Sequence, residues 1–532
     1  MPGSIANRLH TVRTLMGAGI LKPIRPDKLL RVGVALKRFG PTPAAGYAAA
    51  AIRHPDAEAL VDELGALTFW ELHRRTNALA HALADEGVVE GDGIAIMCRN
   101  HRGFIEATVA CSKLGANALY LNTAFAGPQI TDVVKREAPR ALVYDEEFSE
   151  LVTEAGVRRK RFIAWHDEPK PAETTLEALI ERGDPADVVA PSESGKAVIL
   201  TSGTTGTPKG ASRKQPESLD PAAALLSKIP LRTRETTMIA APLFHGWGFA
   251  HFTIGLSLAS TLILRRKFDP EDTLAASARH RATTLVVVPV MLQRILELGG
   301  AKIDRFDLSD LRIIAVSGSA VSGSLSEKAM DVFGDVLHNL YGSTEVAWAA
   351  IATPADMRAA PGTVGHPPRG TILKLYDEHE QEVAPGETGR IFVGNEMLFE
   401  GYTGGGSKDV IDGLMATGDV GHFDEDGRLF VDGRDDDMIV SGGENVFPQE
   451  VEELLAKHDG IVEVAVVGVD DEKFGQRLKA VVVTRDGHEV SSDDVKGYVK
   501  GHLARYKVPR DVEFVPELPR TSTGKVLKRE LS

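Results

Sequence analysis

Along this chain the apolar positions change period repeatedly, from every third or fourth residue to unbroken runs of four or five, and back again. The first pattern marks amphipathic helices and the second marks buried strands. Thr68-Phe69-Trp70-Glu71 has the form of a capping box, after which Leu72, Leu79 and Leu83 share one helical face as far as about Gly87. Strands are predicted at 94–97, 117–121 and 141–144, with helices between them at 104–113 and 129–137. The same rhythm returns at 261–264, 284–288 and 312–316, so a layered α/β fold with mostly parallel sheets is expected. From about residue 362 short glycine-punctuated strands take over, at 389–393 and 428–431, which predicts a small antiparallel or barrel-like unit. After residue 433 the alternation starts afresh, with a helix at 449–457, strands at 462–467 and 478–484, and a helix at 493–503. That stretch is long enough to be a small α/β domain of its own.

The expected organisation is an arm at 1–45, a large α/β domain at 46–433 and a smaller α/β domain at 434–532. Charge separates the arm from the rest. Residues 1–45 carry Arg8, Arg13, Lys22, Arg25, Lys28, Arg31, Lys37 and Arg38 against Asp27 alone, while the 532-residue chain has a formal charge of −14. So acidic a body excludes a general nucleic-acid binder, which needs a basic excess to neutralise phosphates. Within the arm Ile5, Leu9, Val12 and Met16 fall at helical spacing among Asn7, Arg8, Thr11 and Arg13. Such a basic amphipathic helix either makes a peripheral membrane contact or packs on the body. Cys98 and Cys111 are the only cysteines, which leaves no disulfide framework and no cysteine metal spacing, as expected of a cytoplasmic protein. No apolar run reaches the length of a membrane span, and no secretory leader is read.

Polar chemistry gathers in loops after the predicted strands. The densest is Thr201-Ser-Gly-Thr-Thr-Gly-Thr-Pro-Lys-Gly210, behind the apolar run 197–200. Small hydroxylated residues with one lysine present backbone N–H groups, hydroxyls and a cation toward one point, which suits a polyphosphate; the plain alternative is a surface loop. It is not the common phosphate loop, whose Gly-Lys-Ser/Thr ending is absent. Further clusters stand at Ser317-Gly-Ser-Ala320, Tyr341-Gly-Ser-Thr-Glu345, Thr417-Gly-Asp419, Gly433-Arg434, Gly442-Gly-Glu-Asn445 and Pro519-Arg-Thr-Ser-Thr-Gly-Lys525.

In this order and spacing the clusters resemble the motifs of the adenylate-forming enzymes, specifically the acyl-CoA synthetases, from about residue 45 to the end. The resemblance implies a fold of stacked α/β subdomains with a small barrel-like unit and a mobile C-terminal domain. It also implies the activity: a carboxylic acid attacks the α-phosphate of MgATP to give acyl-AMP and pyrophosphate, and CoA then takes the acyl group. On that basis Thr201, Ser202, Gly203, Thr204, Thr205, Gly206 and Lys209 match the loop that holds the leaving phosphates. Thr204 and Glu345 match positions associated with Mg²⁺. Gly318, Ser319, Ala320, Tyr341, Gly342, Ser343 and Thr344 match the adenine pocket, and Asp419 with Arg434 the ribose grip. Lys525 matches the cation of the adenylation step, Asp436 the hinge, and Gly442, Gly443 and Phe474 the path of the CoA arm. His245 matches a position beside the acyl group, although a lone histidine in an apolar run is also a common core residue. Trp247, Phe249, Val290 and Met291 are the expected acyl pocket. With no basic residue among them, they favour a hydrocarbon acyl group over an amino acid without giving its chain length, and a medium- to long-chain fatty acid is the expected substrate. After Gly210 the chain departs from many relatives, reading Ala211-Ser-Arg213-Lys-Gln, which leaves the packing beside the loop open. Alternatives within and beyond the family are a ligase that hands fatty acyl groups to a carrier protein, a ligase for an aromatic acid, oxidative use of the adenylate, and a catalytically silent sensor.

Overall fold

The structure, a computed structural model, describes residues 5–22, 24–155, 159–167, 171, 173–201, 209–213, 218–403, 405–441, 444–471, 475–521 and 524–531. The chain folds as two compact units, one formed by 1–287, 294–316 and 396–407 and the other by 288–293, 317–395 and 408–532.

The first unit holds two sheets of mainly parallel strands. In one, Lys160–Trp165, Ala141–Asp145, Gly93–Met97, Asn117–Tyr120 and Ala197–Thr201 run parallel in that spatial order. Lys209–Arg213 then returns antiparallel along Ala197–Thr201, and Phe399–Tyr402 closes the edge. In the other, Ile313–Val316, Thr284–Val287, Thr236–Ile239, Thr261–Leu264 and Glu58–Asp62 run parallel, with Gly65–Thr68 antiparallel at the edge. Leu285, Val286, Val287, Ile313, Ile314 and Ala315 are fully buried, as strands covered on both faces must be.

Local chemistry sets the helices. Thr68 caps the Phe69–Asp85 helix, with both halves of the capping box formed: its hydroxyl accepts from Glu71 N–H and the Glu71 carboxylate accepts from Thr68 N–H. The arm forms two helices, Ile5–Gly17 and Pro26–Phe39, and only the first carries the periodicity noted in the sequence. It packs on the body through its inner side, where Leu15 is buried and Thr11 donates to Asp220 at 2.6 Å.

The second unit contains an antiparallel sheet of Ile372–Tyr376, Gly389–Gly394, Leu414–Phe423, Leu429–Arg434 and the short Val410–Ile411. Its terminal part has a separate sheet. Ile461–Asp471 pairs antiparallel with Gly475–Thr484, Asp511–Phe514 lies parallel to the latter, and the helices Pro448–Leu455 and Ser492–His502 supply Val451, Leu455, Val495 and Val499 to the core beneath.

Candidate active site

In the second unit the sequence clusters converge on one carboxylate. Asp419 lies on the long strand Leu414–Phe423, in register with Arg434 on Leu429–Arg434, and the Arg434 guanidinium comes within 3.4 Å of its Oδ1. Tyr341, at the end of strand Leu337–Tyr341, donates its phenol proton to Asp419 Oδ2 at 2.6 Å. Thr417 organises the turn: its hydroxyl accepts from Asp419 N–H at 3.1 Å and donates to the Ile391 carbonyl. Burial pushes the Asp419 carboxyl up from its ordinary range, while the Tyr341 hydrogen bond and the charges of Arg434, Lys525 and Lys408 pull it back. Burial and the Asp419 charge together hold the Tyr341 phenol protonated, well above its ordinary value. A carboxylate has about four lone-pair directions, so one phenol and one guanidinium leave room for a further pair of donors such as a diol.

Around it the backbone comes close. Gly342 admits no side chain, because a Cβ would sit 2.3 Å from the Ala347 carbonyl oxygen. Gly318 has φ +103°, in the left-handed region, and Ser319 and Ala320 follow it at the surface end of the loop. Ser343 braces the loop to Glu345 by accepting from the N–H groups of Glu345 and Val346 at 3.2 and 3.4 Å. Thr344 and Glu345 are half-buried on that brace.

Lys525 is carried on a tight turn. Thr521 N–H donates to the Lys525 carbonyl at 2.8 Å, Gly524 N–H to the Thr521 carbonyl, and Lys525 N–H to the Thr521 hydroxyl. Gly524 has φ +81° and lies so tightly on Val290 that a Cβ would stand 2.2 Å from its Cγ1. The turn thus holds the exposed Lys525 where its charge acts on Asp419, with Val290 half-buried and Met291 buried at the start of the Pro289–Leu296 helix.

The first unit holds the other group. Thr201 and Lys209 are paired ends of the hairpin Ala197–Thr201/Lys209–Arg213; Ser202, Gly203, Thr204, Thr205 and Gly206 lie outside the described residues. The return strand was not expected from Ala211-Ser-Arg213, yet Ala211 is buried and pairs with Ile199 on one side and Tyr402 on the other. Thr403 locks its base. The hydroxyl accepts from Gly210 N–H at 3.1 Å and donates to Glu137 at 2.6 Å, while Thr403 N–H donates to the Gly210 carbonyl. A Cβ on Gly210 would meet that hydroxyl at 2.5 Å.

His245 is the N-cap of the Gly246–Leu258 helix, its Nδ1 accepting from Trp247 N–H, and burial lowers its pKa to about 4, so the ring is neutral. Trp247 is buried with its indole N–H given to the Val287 carbonyl at 3.1 Å, and Phe249 meets Tyr120 at 4.9 Å. Asn100, which nothing in the local sequence marks, pins the segment before His245. Its amide donates to the Ile239 and Ala241 carbonyls and its Oδ1 accepts from Leu243 N–H. His251, also unmarked, stands edge-on to Trp247 at 4.4 Å; it is buried, burial lowers its pKa to about 3, and its Nε2 has no hydrogen-bond partner among the described residues.

Of the remaining expected residues, Asp436 falls in the turn Asp435–Asp437, and Gly442, Gly443 and Phe474 lie outside the described residues.

Comparison with known proteins decides the family. Residues 47–403 match the AMP-binding enzyme family and residues 450–525 match the AMP-binding enzyme C-terminal domain. The chain belongs to the AMP-binding enzyme family. It is 34% identical over 490 residues to an indoleacetate–CoA ligase of Aromatoleum aromaticum, covering 90% of this chain and 94% of that one. A fatty acid–[acyl-carrier-protein] ligase, ScoC of Streptomyces coeruleorubidus, is 30% identical over 90% of this chain and 93% of its own. Among solved structures, o-succinylbenzoate CoA synthetase from Bacillus subtilis, in complex with its acyl-adenylate intermediate, superposes with a TM-score of 0.80 at 26% identity, covering 92% and 97% of the two chains. This AMP-binding enzyme is thus an adenylate-forming acid–CoA ligase of α/β fold, as its motifs lead one to expect.

Proposed function

We propose that this enzyme activates a medium- to long-chain fatty acid as acyl-AMP and transfers the acyl group to CoA. The observation that carries the choice of acid is the start of the Gly246–Leu258 helix. His245 is neutral, Trp247 has its only polar atom satisfied, and Phe249 packs on another ring, so this segment presents hydrocarbon and no charge. Val290 and Met291 are proposed for the same role.

In this reading a fatty carboxylate oxygen attacks the α-phosphorus of ATP and pyrophosphate leaves. Lys525 places its ammonium beside the carboxylate and the α-phosphate, lowering the repulsion between two anions as they meet. Asp419 accepts both ribose hydroxyls, held for that task by Thr417, Tyr341 and Arg434. Tyr341 and the Gly318–Ala320 and Gly342–Thr344 backbones flank the base. Thr201 to Gly206 and Lys209 cradle the leaving phosphates. Thr204 and Glu345 offer only hard oxygen donors, and Glu345 stands on the loop braced by Ser343, which suits magnesium. A magnesium ion at these residues would supply neutralisation of phosphate charge. The CoA thiol then attacks the mixed anhydride and AMP leaves, with Gly442, Gly443 and Phe474 proposed along the thiol arm and Asp436 as the hinge. A cytoplasmic setting with a peripheral membrane contact through the basic arm belongs to the same reading, since fatty acids partition into bilayers.

A second reading is favoured by His251. A buried, unpartnered ring nitrogen costs about 1–3 kcal/mol unless something satisfies it. Beside Trp247 it suits an acid whose ring bears a hydroxyl or carbonyl group. The test compares kcat/KM over alkyl and ring acids in the parent enzyme and in His251→Leu. Highest efficiency on alkyl acids, unchanged by the substitution, supports the fatty-acid reading. Highest efficiency on polar ring acids, lost in His251→Leu, overturns it in favour of the second.

A further inference from the structure

Eight of the eighteen exposed large apolar side chains found among the described residues fall within the arm: Leu9, Val12, Met16, Leu21, Leu29, Leu30, Val34 and Leu36. Both arm helices are amphipathic the wrong way round for a soluble surface. At 100° per residue Leu9, Val12 and Met16 lie within about 60° of one another on the first helix, and all face solvent, with Leu9 65% and Met16 59% exposed. Leu15, about 90° round the helix from the centre of that stripe, is buried. On the Pro26–Phe39 helix Ala35 and Phe39 are buried, whereas Leu29, Leu30, Val34 and Leu36 point outward around Gly33 and Lys37, with Leu30 71% exposed. An ordinary surface helix carries charge on this face.

Charge names the occupant. Arg8 and Arg13 flank the outward stripe of the first helix, Arg31 flanks the outward face of the second and Lys37 stands within it, and Asp27, the arm's one acidic residue, is already paired with Arg25 at 3.0 Å. Among the described residues Arg31 and Lys37 have no hydrogen-bond or ion-pair partner. Apolar side chains with long basic side chains beside and among them match the interface of an anionic bilayer, where the former enter the acyl boundary and the latter extend their charged ends to lipid phosphates. We propose that the two arm helices dock this enzyme on an anionic lipid surface, with Leu29, Leu30, Val34 and Leu36 as the inserted face. The proposal deepens the membrane contact suggested above but does not depend on which acid the enzyme activates.

The test uses the full chain without substrate, sedimented with vesicles of phosphatidylcholine alone or with added phosphatidylglycerol. Expected is binding that requires the anionic lipid and weakens with salt. It should fall about ten-fold in the double variant Leu30→Ser/Val34→Ser, and on the order of ten-fold or more in Arg31→Glu/Lys37→Glu. All four side chains are outside the core, so thermal unfolding should not change and misfolding is excluded by the same samples. No binding to anionic vesicles overturns the proposal, as does binding that neither double variant alters. A concentration-dependent dimer in sedimentation equilibrium, abolished by Leu30→Ser/Val34→Ser, overturns it by showing that a second copy covers the face. Because no acid is present, none of these outcomes bears on the fatty-acid reading, which fails or stands on its own kinetics.

Discussion

Lys525 and Asp419 mark how differently two charges can be prepared. The lysine is exposed on a turn that fixes only its backbone, whereas the carboxylate is enclosed by a phenol, a threonine turn and a guanidinium. Lys525→Ala should therefore lower acyl-AMP formation on the order of a hundred-fold or more while leaving thermal stability unchanged. Thioester formation from supplied acyl-AMP, which needs no attack on ATP, should fall far less. Equal loss in both steps, measured in single-turnover assays, would remove the adenylation role. For Asp419→Ala, losing charge-assisted bonds to ribose should raise the KM for ATP by about ten- to a hundred-fold, and an unchanged KM would count against that assignment. These residues were legible because their motifs are contiguous. Asn100, Thr403, Glu137 and His251 were not, since each gains its meaning from a partner far along the chain or from burial alone, as Asn100 does from the Ile239–Leu243 segment. His251 also has a signature in pH. Its folded pKa of about 3 lies below the unfolded value of 6.5, so its contribution is intact above pH 6.5 and is lost as pH falls toward 3. Between pH 7 and 5 that amounts to about 2 kcal/mol. The fall in thermal midpoint over that interval should be smaller in His251→Leu, and an equal fall in both proteins would show that the ring protonates freely.

At the scale of elements, each strand and helix that periodicity predicted is present with shifted edges, but many were not predicted, among them the strands Glu58–Asp62 and Thr236–Ile239 and the helices Pro43–Arg53 and Gly246–Leu258. The helix expected to run to Gly87 ends at Asp85, and the strand expected at 478–484 begins at Gly475. The return strand Lys209–Arg213 was missed because five polar and small residues have no strand pattern of their own; pairing on both sides makes it a strand. Its lock predicts a measurable effect. Thr403→Val keeps the shape but removes the acceptor of Gly210 N–H and one of the two donors to Glu137, which keeps Arg136, so stability should fall by about 1–2 kcal/mol. The KM for ATP should rise through the loop that this strand anchors. An increase in KM without any loss of stability would point instead to direct contact with the nucleotide. For the arm, spacing revealed a stripe on the first helix but could not say which way it faces, and it gave no warning of the second helix. A stripe turned toward solvent cannot be told from one turned inward until the packing partner is known.

For the molecule as a whole, the alternation of strand and helix patterns carried the α/β class, and the order of motifs carried the family. The acid did not follow, because a hydrocarbon-lined segment and one neutral histidine, unpartnered at Nε2 among the described residues, are compatible with more than one carboxylate. Relatives that act on indoleacetate and on fatty acids stand at similar identity. The acceptor can be read more directly than the acid. With purified enzyme, MgATP and a panel of fatty and aromatic acids, acid-dependent pyrophosphate release would be followed with and without CoA while thioester and free acyl-AMP are quantified. Stoichiometric thioester from a medium- or long-chain fatty acid, with acyl-AMP accumulating only when CoA is withheld, is the predicted result. Acyl-AMP that accumulates in the presence of CoA, or thioester formed only from aromatic acids, would contradict the proposed fatty acid–CoA ligase.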